Sequence, residues 1–189
     1  MKLEFIAVGR KLADRRRHEE TARMADLARV ASALQPEAIL LDVDARGAER
    51  ALRIAADAIS MKHALNPTLV FDALWRREQA ASTALGNGFA IPHARLAGIE
   101  RPATLFIRLR NAIPFGAADD APVSHLLVVL VPKDGADADH LLMLSFISQL
   151  FARRGFKAKL ERASDVAEAD AVFRDAVAPL VRRAARDGS

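Results

Sequence analysis

The sequence predicts an α/β fold in which a mixed β-sheet is covered by helices on both faces. Three observations support this prediction. Two helix-forming stretches precede the middle of the chain, the middle itself is strand-forming, and two further helix-forming stretches follow it. One more strand precedes them all. Helices on either side of a run of strands are available to cover both faces of the sheet that the strands form.

The first part of the predicted domain contains one strand and two helices. Ile39–Val43 is apolar and flanked by turn-compatible residues, which predicts a strand. Gly47–His63 carries apolar residues at helical spacing, which predicts a helix. Asn66-Pro67 interrupts this pattern and begins a second helix, with proline at the first helical position.

Three strands are predicted in the middle of the chain. Phe89–Ile91 is a short apolar strand, and Thr104–Leu109 alternates as a half-buried strand does. Leu126–Val131 is continuously apolar, which is typical of a central strand buried on both faces. We expect Pro132 to end this strand.

Helical spacing returns over Asp137–Phe151 and over Asp165–Ala185, and a bend or break is expected at Pro179 in the second helix. Together the elements predict one compact domain over residues 34–180. A charged helical extension precedes it over residues 1–33, and a basic tail follows it over residues 181–189.

The composition excludes several classes of function. Hydrophobic residues make up 51% of the chain and charged residues 28%, which is the balance of a globular protein with a core. The chain has no cysteine, so thiolate catalysis and cysteine-ligated zinc are ruled out. Only 5% of the residues are aromatic and none is tyrosine, which argues against a nucleic-acid partner bound by base stacking.

The formal net charge is +4, and much of it lies near the two ends, in Arg15–Arg17 and in Arg182, Arg183 and Arg186. Solvated termini explain this better than a docking surface for an acidic partner or nucleic acid. The N-terminal residues lack the pattern of a secretory signal, and no apolar run approaches the roughly 18 residues of a membrane span. We therefore predict a cytoplasmic protein without membrane insertion.

The most unusual segment of the chain runs from Ser82 to His93. Within it, Gly86-Asn87-Gly88 permits left-handed backbone conformations, so that successive amide N–H groups can converge on one anion. Pro92 then restricts the backbone immediately before His93. We expect this histidine to be held in one orientation beside an anion-binding loop.

Histidine is the side chain suited to reversible phosphoryl transfer near neutral pH. With an ordinary pKa of about 6.5, its imidazole offers an uncharged, nucleophilic nitrogen. The predicted reaction is uptake of a phosphoryl group on a nitrogen of His93, with no metal ion and no organic cofactor. The other nitrogen then needs a partner that fixes the tautomer, either a backbone carbonyl or a carboxylate.

Three more side chains are candidates for the phosphoryl site. His140 follows two acidic residues in the first turn of a predicted helix, where free N–H groups attract phosphate. Arg77 lies in the last turn of the second helix and can bind phosphate through two N–H groups. Ser82 offers a hydroxyl donor before the glycine turn.

Each feature taken alone has an ordinary structural explanation. A Gly-Asn-Gly sequence is most often only a turn, a helical arginine is most often a surface charge, and Ser82 is equally well a capping residue. We interpret His18, His63 and His125 as structural or solvent-exposed, with His125 at the start of a buried strand. The functional interpretation therefore depends on finding all of these features together in one chain.

The combination resembles the phosphorylation-site signature of the type-2 (fructose/mannitol) enzyme IIA domains of the phosphotransferase system. The residues that carry the resemblance are Arg77-Glu78, Ser82-Thr83, Gly86–Ala94 and His140-Leu141. His140 matches the second active-site histidine of that family. The resemblance extends from about Ala38 to about Val177, which is most of the chain.

This resemblance implies a three-layer α/β/α sandwich with a mixed sheet. It implies that His93 accepts phosphate from a small HPr-like phosphocarrier, with Arg77, Ser82 and His140 around the phosphoryl group. The chain has room for a IIA domain alone, without IIB or membrane-spanning IIC domains, and so most resembles the nitrogen-regulatory branch of the family. That branch implies regulatory targets such as potassium-transport or sensor-kinase proteins.

Two other functions stay open. A fructose/mannitol-type transport subunit would accept the same phosphoryl group and pass it to a separate IIB protein. A regulatory module of another class would bind an anion at His93 without chemistry. A hydrolase is not predicted, because the sequence contains neither a Gly-x-Ser-x-Gly elbow nor a metal-spaced histidine pair.

Overall fold

The computed structural model describes residues 34–135 and 137–187, so the predicted extension over residues 1–33 lies outside the described residues. Within that described part, the helices and strands in chain order are β1 Ala38–Val43, α1 Ala48–His63, α2 Pro67–Ala80, β2 Ala84–Gly86, β3 Phe89–Ala90, β4 His93–Leu96, β5 Ala103–Ile113, β6 Val123–Pro132, α3 Asp137–Phe151, α4 Arg154–Arg162 and α5 Val166–Asp187.

The strands form one mixed sheet. Its order is β1-β5-β6-β3-β2, and β4 pairs with β6 on the same side as β3. Strands β5 and β6 are antiparallel, whereas β1 runs parallel to β5, and β3 and β4 run parallel to β6. The predicted mixed sheet is therefore confirmed.

Helices cover both faces of this sheet. On one face α1 and α2 bury apolar residues such as Leu52 and Leu74 against Leu126 and Val128 of β6. On the other face α3, α4 and α5 pack against a second core. Its members include Leu127, Val129, Ile147, Leu160 and Phe173. Alternate residues of β6 thus enter opposite cores, as its continuous apolar run predicts.

Local signals explain where the helices near the site begin. Asn66 caps α2, because its side-chain oxygen accepts a hydrogen bond from the N–H of Thr68 at 2.9 Å. Pro67 occupies the first helical position, where no intrahelical N–H is required. Helix α2, which carries Arg77 and Glu78 near its other end, contacts β4.

The structure also contains elements that the sequence pattern did not predict. Strands β2 and β4 have only three and four residues, too few to show a period. Helix α4 buries little more than Phe156 and Leu160, and its other residues are mostly charged. Helix α5 continues past Pro179 to Asp187, so no break in the backbone separates the predicted domain from its basic tail. Among the described residues, no helix has the length and hydrophobicity needed to span a bilayer.

His125 lies in the central strand β6, and its side chain is buried in the second core. Its ring contacts Phe89 and Phe106 at centroid distances of 4.9 and 5.9 Å. Its Nδ1 is 2.8 Å from the hydroxyl of Ser124, whereas Nε2 has no hydrogen-bond partner in the described part of the chain. The structural interpretation of this histidine is thus supported by its surroundings.

Acid should destabilise the fold through His125. Burial lowers the pKa of His125 to about 4, and the charges of Lys157 and Arg108 act in the same direction. The unfolded chain, with an ordinary histidine pKa near 6.5, therefore binds a proton between these pH values that the folded chain does not. We expect the free energy of unfolding to fall below pH 6.5 by up to about 1.4 kcal/mol per pH unit from this group.

Urea unfolding from pH 7 to pH 4.5 measures this effect when His125→Phe is compared with the unmodified chain. Phenylalanine fits the aromatic surroundings but does not titrate, so the variant should lose less stability over this range. Equal slopes against pH in the two proteins would contradict the assignment.

Candidate functional site

The backbone around His93 is fixed by hydrogen bonds on both sides. The N–H of Ile91 donates to the carbonyl of Thr83 at 3.0 Å, and the carbonyl of Pro92 accepts from the N–H of Val129 at 2.9 Å. His93 follows as the first residue of β4, in register with Val129 of the central strand. The segment before the histidine is therefore tied to the sheet.

Register also indicates which face of the sheet carries the His93 side chain. Its partner Val129 belongs to the core beneath α3, whereas the next pair, Ala94 and Leu130, belongs to the core beneath α1 and α2. Because side chains alternate along a strand, His93 and Arg95 leave β4 on the face opposite Ala94, which is the α3 face, although the His93 ring also reaches Arg77 of α2.

The two nitrogens of the His93 imidazole have different partners. Nδ1 lies 2.7 Å from the carbonyl oxygen of Ile91, which can only accept a hydrogen bond, so Nδ1 carries the proton. Nε2 lies 3.1 Å from Nε of Arg77, which can only donate. Nε2 therefore presents a lone pair, and the backbone carbonyl is the partner that fixes the tautomer.

Arg77 is itself held in place. Its Nη1 donates to the carbonyl of Ala81 at 2.8 Å, just after the end of α2, while its Nε faces His93. One guanidinium thus caps a helix end and contacts the imidazole. The predicted proximity of these two side chains is found in the structure.

A depression of about 330 Å³ opens beside the ring and is large enough for a phosphoryl group. The residues that line it are Ala73, Arg76, Arg77, His93, Ala94 and Arg95. His93 is only 9% exposed, and this depression gives its ring access to solvent. Arg95 also donates to the carbonyls of Lys133 and Gly135, before α3. Three arginines that line one depression beside a nucleophilic nitrogen suit a dianionic group.

Ser82 lies near this region, but its hydroxyl has structural partners. The hydroxyl donates to the carbonyl of Phe115 at 2.6 Å and accepts from the N–H of Ala84 at 3.2 Å. This arrangement joins the end of α2 to the segment after β5. The structure does not direct the Ser82 hydroxyl toward His93.

The glycine turn lies away from the imidazole. Phe89, which follows the turn, pairs with His125 on β6, whereas His93 pairs with Val129 four residues further along. At the rise of a β-strand this separation is about 13 Å. The predicted phosphate-binding arrangement of Gly86, Asn87 and Gly88 around His93 is therefore not what the structure contains.

The same turn has a different set of partners. All three residues, Gly86, Asn87 and Gly88, have positive φ, as the sequence predicts for a left-handed turn. The N–H of Asn87 donates to the carboxylate of Asp119 at 2.9 Å, and Lys157 donates to the carbonyl of Asn87 at 2.6 Å. The Asn87 N–H, with that of Ala121, holds the pKa of Asp119 below its usual range. An N–H that serves a carboxylate is not available to a phosphoryl group.

His140 lies in the first turn of α3, the helix that covers the sheet face on which His93 stands. Its position on the backbone agrees with the sequence-based expectation of a helix start. Its side chain lies outside the described part of the structure, so the pairing of His140 with His93 stays a prediction.

Two arginines at this site were missed from the sequence, and Glu78 was included in the resemblance without a role assigned to it. Arg95 follows His93 by two residues, a spacing that places both on the same face of a strand, and Arg76 precedes Arg77. Glu78 follows Val70 and Leu74 at four-residue intervals, so a charge stands on the buried stripe of α2. A charged residue among buried apolar positions of a helix is the sequence signal that could have identified Glu78. No group of histidine and acidic side chains among the described residues is arranged to hold a metal ion.

Comparison with known proteins finds a matching family and several similar chains. Residues 32–176 match the family model described as phosphoenolpyruvate-dependent sugar phosphotransferase system, EIIA 2. A nitrogen regulatory protein of Bradyrhizobium diazoefficiens is 36% identical over 130 residues, which cover 69% of this chain and 84% of that protein. A fructose-specific EIIA component of Haloferax volcanii is 36% identical over 110 residues, which cover 58% of this chain and 68% of that protein.

A solved structure extends the comparison from sequence to fold. The nitrogen regulatory protein IIA-Ntr from Neisseria meningitidis matches with a TM-score of 0.68 and 34% sequence identity, covering 71% of this chain and 92% of that chain. The three-layer arrangement predicted from the resemblance is thus confirmed.

Proposed function

The chain belongs to the EIIA type 2 family of the phosphoenolpyruvate-dependent sugar phosphotransferase system and is a phosphotransferase component, and on this premise we propose that it carries a phosphoryl group on Nε2 of His93. The donor is an HPr-like phosphocarrier, and the carried phosphate regulates partner proteins in the cytoplasm. The observation that carries the proposal is the imidazole whose Nδ1 is bonded to the Ile91 carbonyl and whose Nε2 borders an arginine-lined depression.

The proposed transfer exchanges one N–P bond for another. The lone pair of Nε2 attacks the phosphorus of the donor's phosphohistidine in line with the leaving nitrogen. The donor's N–P bond breaks and its electron pair returns to the donor imidazole, which leaves neutral because its other ring nitrogen carries a proton. The Nδ1 proton of His93 stays in its hydrogen bond to the Ile91 carbonyl, so the phosphorylated His93 ring takes on the positive charge that the donor ring loses. The step needs no metal ion and no further reactant.

Arg77 has two successive roles in this scheme. Before transfer, its Nε–H donates to the Nε2 lone pair of His93. During transfer the guanidinium moves to the equatorial phosphoryl oxygens, where it balances the charge that they carry. Arg76 and Arg95 line the same depression and add to the positive field. His140 is proposed as the second imidazole at the phosphoryl group.

The regulatory output follows from a change of charge. A phosphoryl group adds about −1.5 to −2 charges to a depression that holds three arginines. A partner that contacts this depression therefore meets a different surface in each state. Similarity to nitrogen regulatory proteins supports regulation, and we propose potassium-transport or sensor-kinase components as the targets.

A transport role is the second candidate. The 36% identity to a fructose-specific EIIA component supports it, and the chemistry at His93 would be the same. Only the acceptor differs, because a transport subunit passes the phosphoryl group to a separate IIB protein.

Intact mass spectrometry tests the proposal and separates it from simple anion binding. After incubation with phosphoenolpyruvate and a phosphorylated HPr-like carrier, the protein should gain the mass of one phosphate. The adduct should be lost in acid and kept in base, as a phosphohistidine is. An unchanged covalent mass, together with phosphate binding at equilibrium, would favour the anion-binding module instead.

Genetic deletion separates regulation from transport. A growth defect confined to fructose or mannitol would favour the transport subunit. A defect in potassium-dependent growth with normal growth on both sugars would favour the regulator.

A further inference from the structure

We propose that Glu78 is a positioning residue for phosphoryl transfer, acting on His93 through Thr83 and the backbone of Ile91. This inference rests on the proposed function, because it assigns Glu78 a role in presenting the nucleophilic nitrogen. Glu78 follows Arg77 on α2 but points away from the depression and into the protein.

Glu78 is unusual because it is a buried carboxylate with both oxygens engaged by one residue. The residue is only 8% exposed. One carboxylate oxygen accepts the backbone N–H of Thr83 at 2.9 Å, and the other accepts its hydroxyl at 2.5 Å. Burying a carboxylate is costly unless its oxygens are hydrogen-bonded, so this pair fixes the position of Thr83 relative to α2.

Two further hydrogen bonds connect Thr83 to the imidazole. The carbonyl of Thr83 accepts the N–H of Ile91 at 3.0 Å. The carbonyl of Ile91 accepts Nδ1–H of His93 at 2.7 Å. The path from Glu78 to the ring therefore consists of four hydrogen bonds, two at the Thr83 end and one at each following step.

Helix α2 consequently holds the imidazole through two adjacent residues. Arg77 contacts Nε2 directly, whereas Glu78 reaches Nδ1 through Thr83 and Ile91. The direct contact faces the reacting side of the ring. The indirect path fixes the opposite side, and with it the tautomer and the direction of the Nε2 lone pair.

The path acts by position and not by transfer of charge. At Thr83 the N–H that meets Glu78 and the carbonyl that meets Ile91 belong to different peptide groups, separated by a tetrahedral carbon. The same is true of the N–H and carbonyl of Ile91. Polarisation therefore does not pass continuously along the path, and a neutral side chain of the same shape should serve as well as the carboxylate.

Two substitutions at Glu78 distinguish an effect of its position from an effect of its charge. Glu78→Gln retains an acceptor for the Thr83 N–H and donates to the Thr83 hydroxyl, which can also accept. Glu78→Ala removes both contacts.

Thr83→Val keeps the backbone N–H but loses the hydroxyl, and provides a milder variant if Glu78→Ala does not fold. Val70→Ala, which leaves a cavity in the same helix, controls for loss of stability.

Histidine ¹⁵N chemical shifts report the tautomer of His93 without any donor. The unmodified protein, Glu78→Gln and Val70→Ala should show protonated Nδ1 and unprotonated Nε2. Glu78→Ala should show a mixture of tautomers. An unchanged tautomer in a folded Glu78→Ala would overturn the proposal whether or not the protein accepts phosphate, so this readout does not depend on the proposed function.

Phosphorylation kinetics with an HPr-like donor give the second readout. Glu78→Ala should lower the maximal rate by about 10²-fold, as a misplaced reacting group does, and leave the half-saturating donor concentration unchanged. Thr83→Val should lower the rate by about 10-fold, and Glu78→Gln by less than about 3-fold. A rate for Glu78→Gln as low as that for Glu78→Ala would overturn action by position. A rate for Glu78→Ala equal to that for Val70→Ala would overturn the proposal altogether.

Discussion

Replacing His93 by alanine should abolish phosphorylation of the protein by a phosphorylated HPr-like carrier. The variant lacks the only imidazole whose Nε2 borders the arginine-lined depression within the described side chains. Among the described residues that line the depression, no other side chain can take over the same chemistry, because an arginine is protonated and carries no nucleophilic lone pair. Intact mass spectrometry after incubation with donor and phosphoenolpyruvate should show one added phosphate on the unmodified protein and none on His93→Ala.

A histidine elsewhere on the surface provides the matched control. His63 pairs with Glu37 at 2.7 Å, between the end of α1 and the start of β1, and does not line the depression. His63→Ala should therefore accept phosphate at the rate of the unmodified protein. Retention of the phosphate on His93→Ala would show that a different residue accepts the group.

Replacing Arg77 by alanine should have the second largest effect. Its guanidinium contacts Nε2 of His93 and is the donor best placed to meet the phosphoryl oxygens. Loss of one such donor lowers the rate of comparable reactions by about 10²- to 10³-fold, and we expect the same range for phosphorylation of Arg77→Ala. Stopped transfer reactions, analysed by mass at timed intervals, measure the rate.

Lysine should not restore the rate at this position. Its ammonium carries the charge but lacks the planar arrangement that lets Arg77 contact Nε2 and the carbonyl of Ala81 together. Arg174→Ala removes a positive charge from α5, which contacts β1 at the far edge of the sheet, and should transfer at the normal rate. If Arg174→Ala lost as much activity as Arg77→Ala, overall charge and not the local contact would be responsible.

The sequence predicted those parts of the fold whose signals are long and periodic. The apolar run that forms β6 identified the central strand, and helical spacing identified α1, α2, α3 and α5. Strand β4 was not predicted, because four residues are too few to show alternation, although it carries His93. Its pairing with β6 is a long-range contact that no local pattern contains.

Only part of the site was predicted, because the rest depends on contacts between residues that are far apart in the chain. The sequence identifies His93, after Pro92, and Arg77 as candidate site residues. The structure brings the side chains of His93 and Arg77 together. The glycine turn was correctly predicted to be left-handed, but its partner, Asp119, is 32 residues away from Asn87 in the chain. From the sequence we expected the turn to bind an anion. The sequence does not indicate that this anion is the carboxylate of Asp119 in the same chain.

The identity of the phosphorylated nitrogen tests the central claim most directly. After phosphorylation of ¹⁵N-histidine-labelled protein, two-bond couplings between ring nitrogens and carbon-bound protons, together with coupling to phosphorus, identify the nitrogen that carries the phosphate. The hydrogen bond from Nδ1 to the Ile91 carbonyl predicts phosphate on Nε2 of His93, with the Nδ1 proton retained. Phosphate on Nδ1, or on any other histidine, would contradict the account.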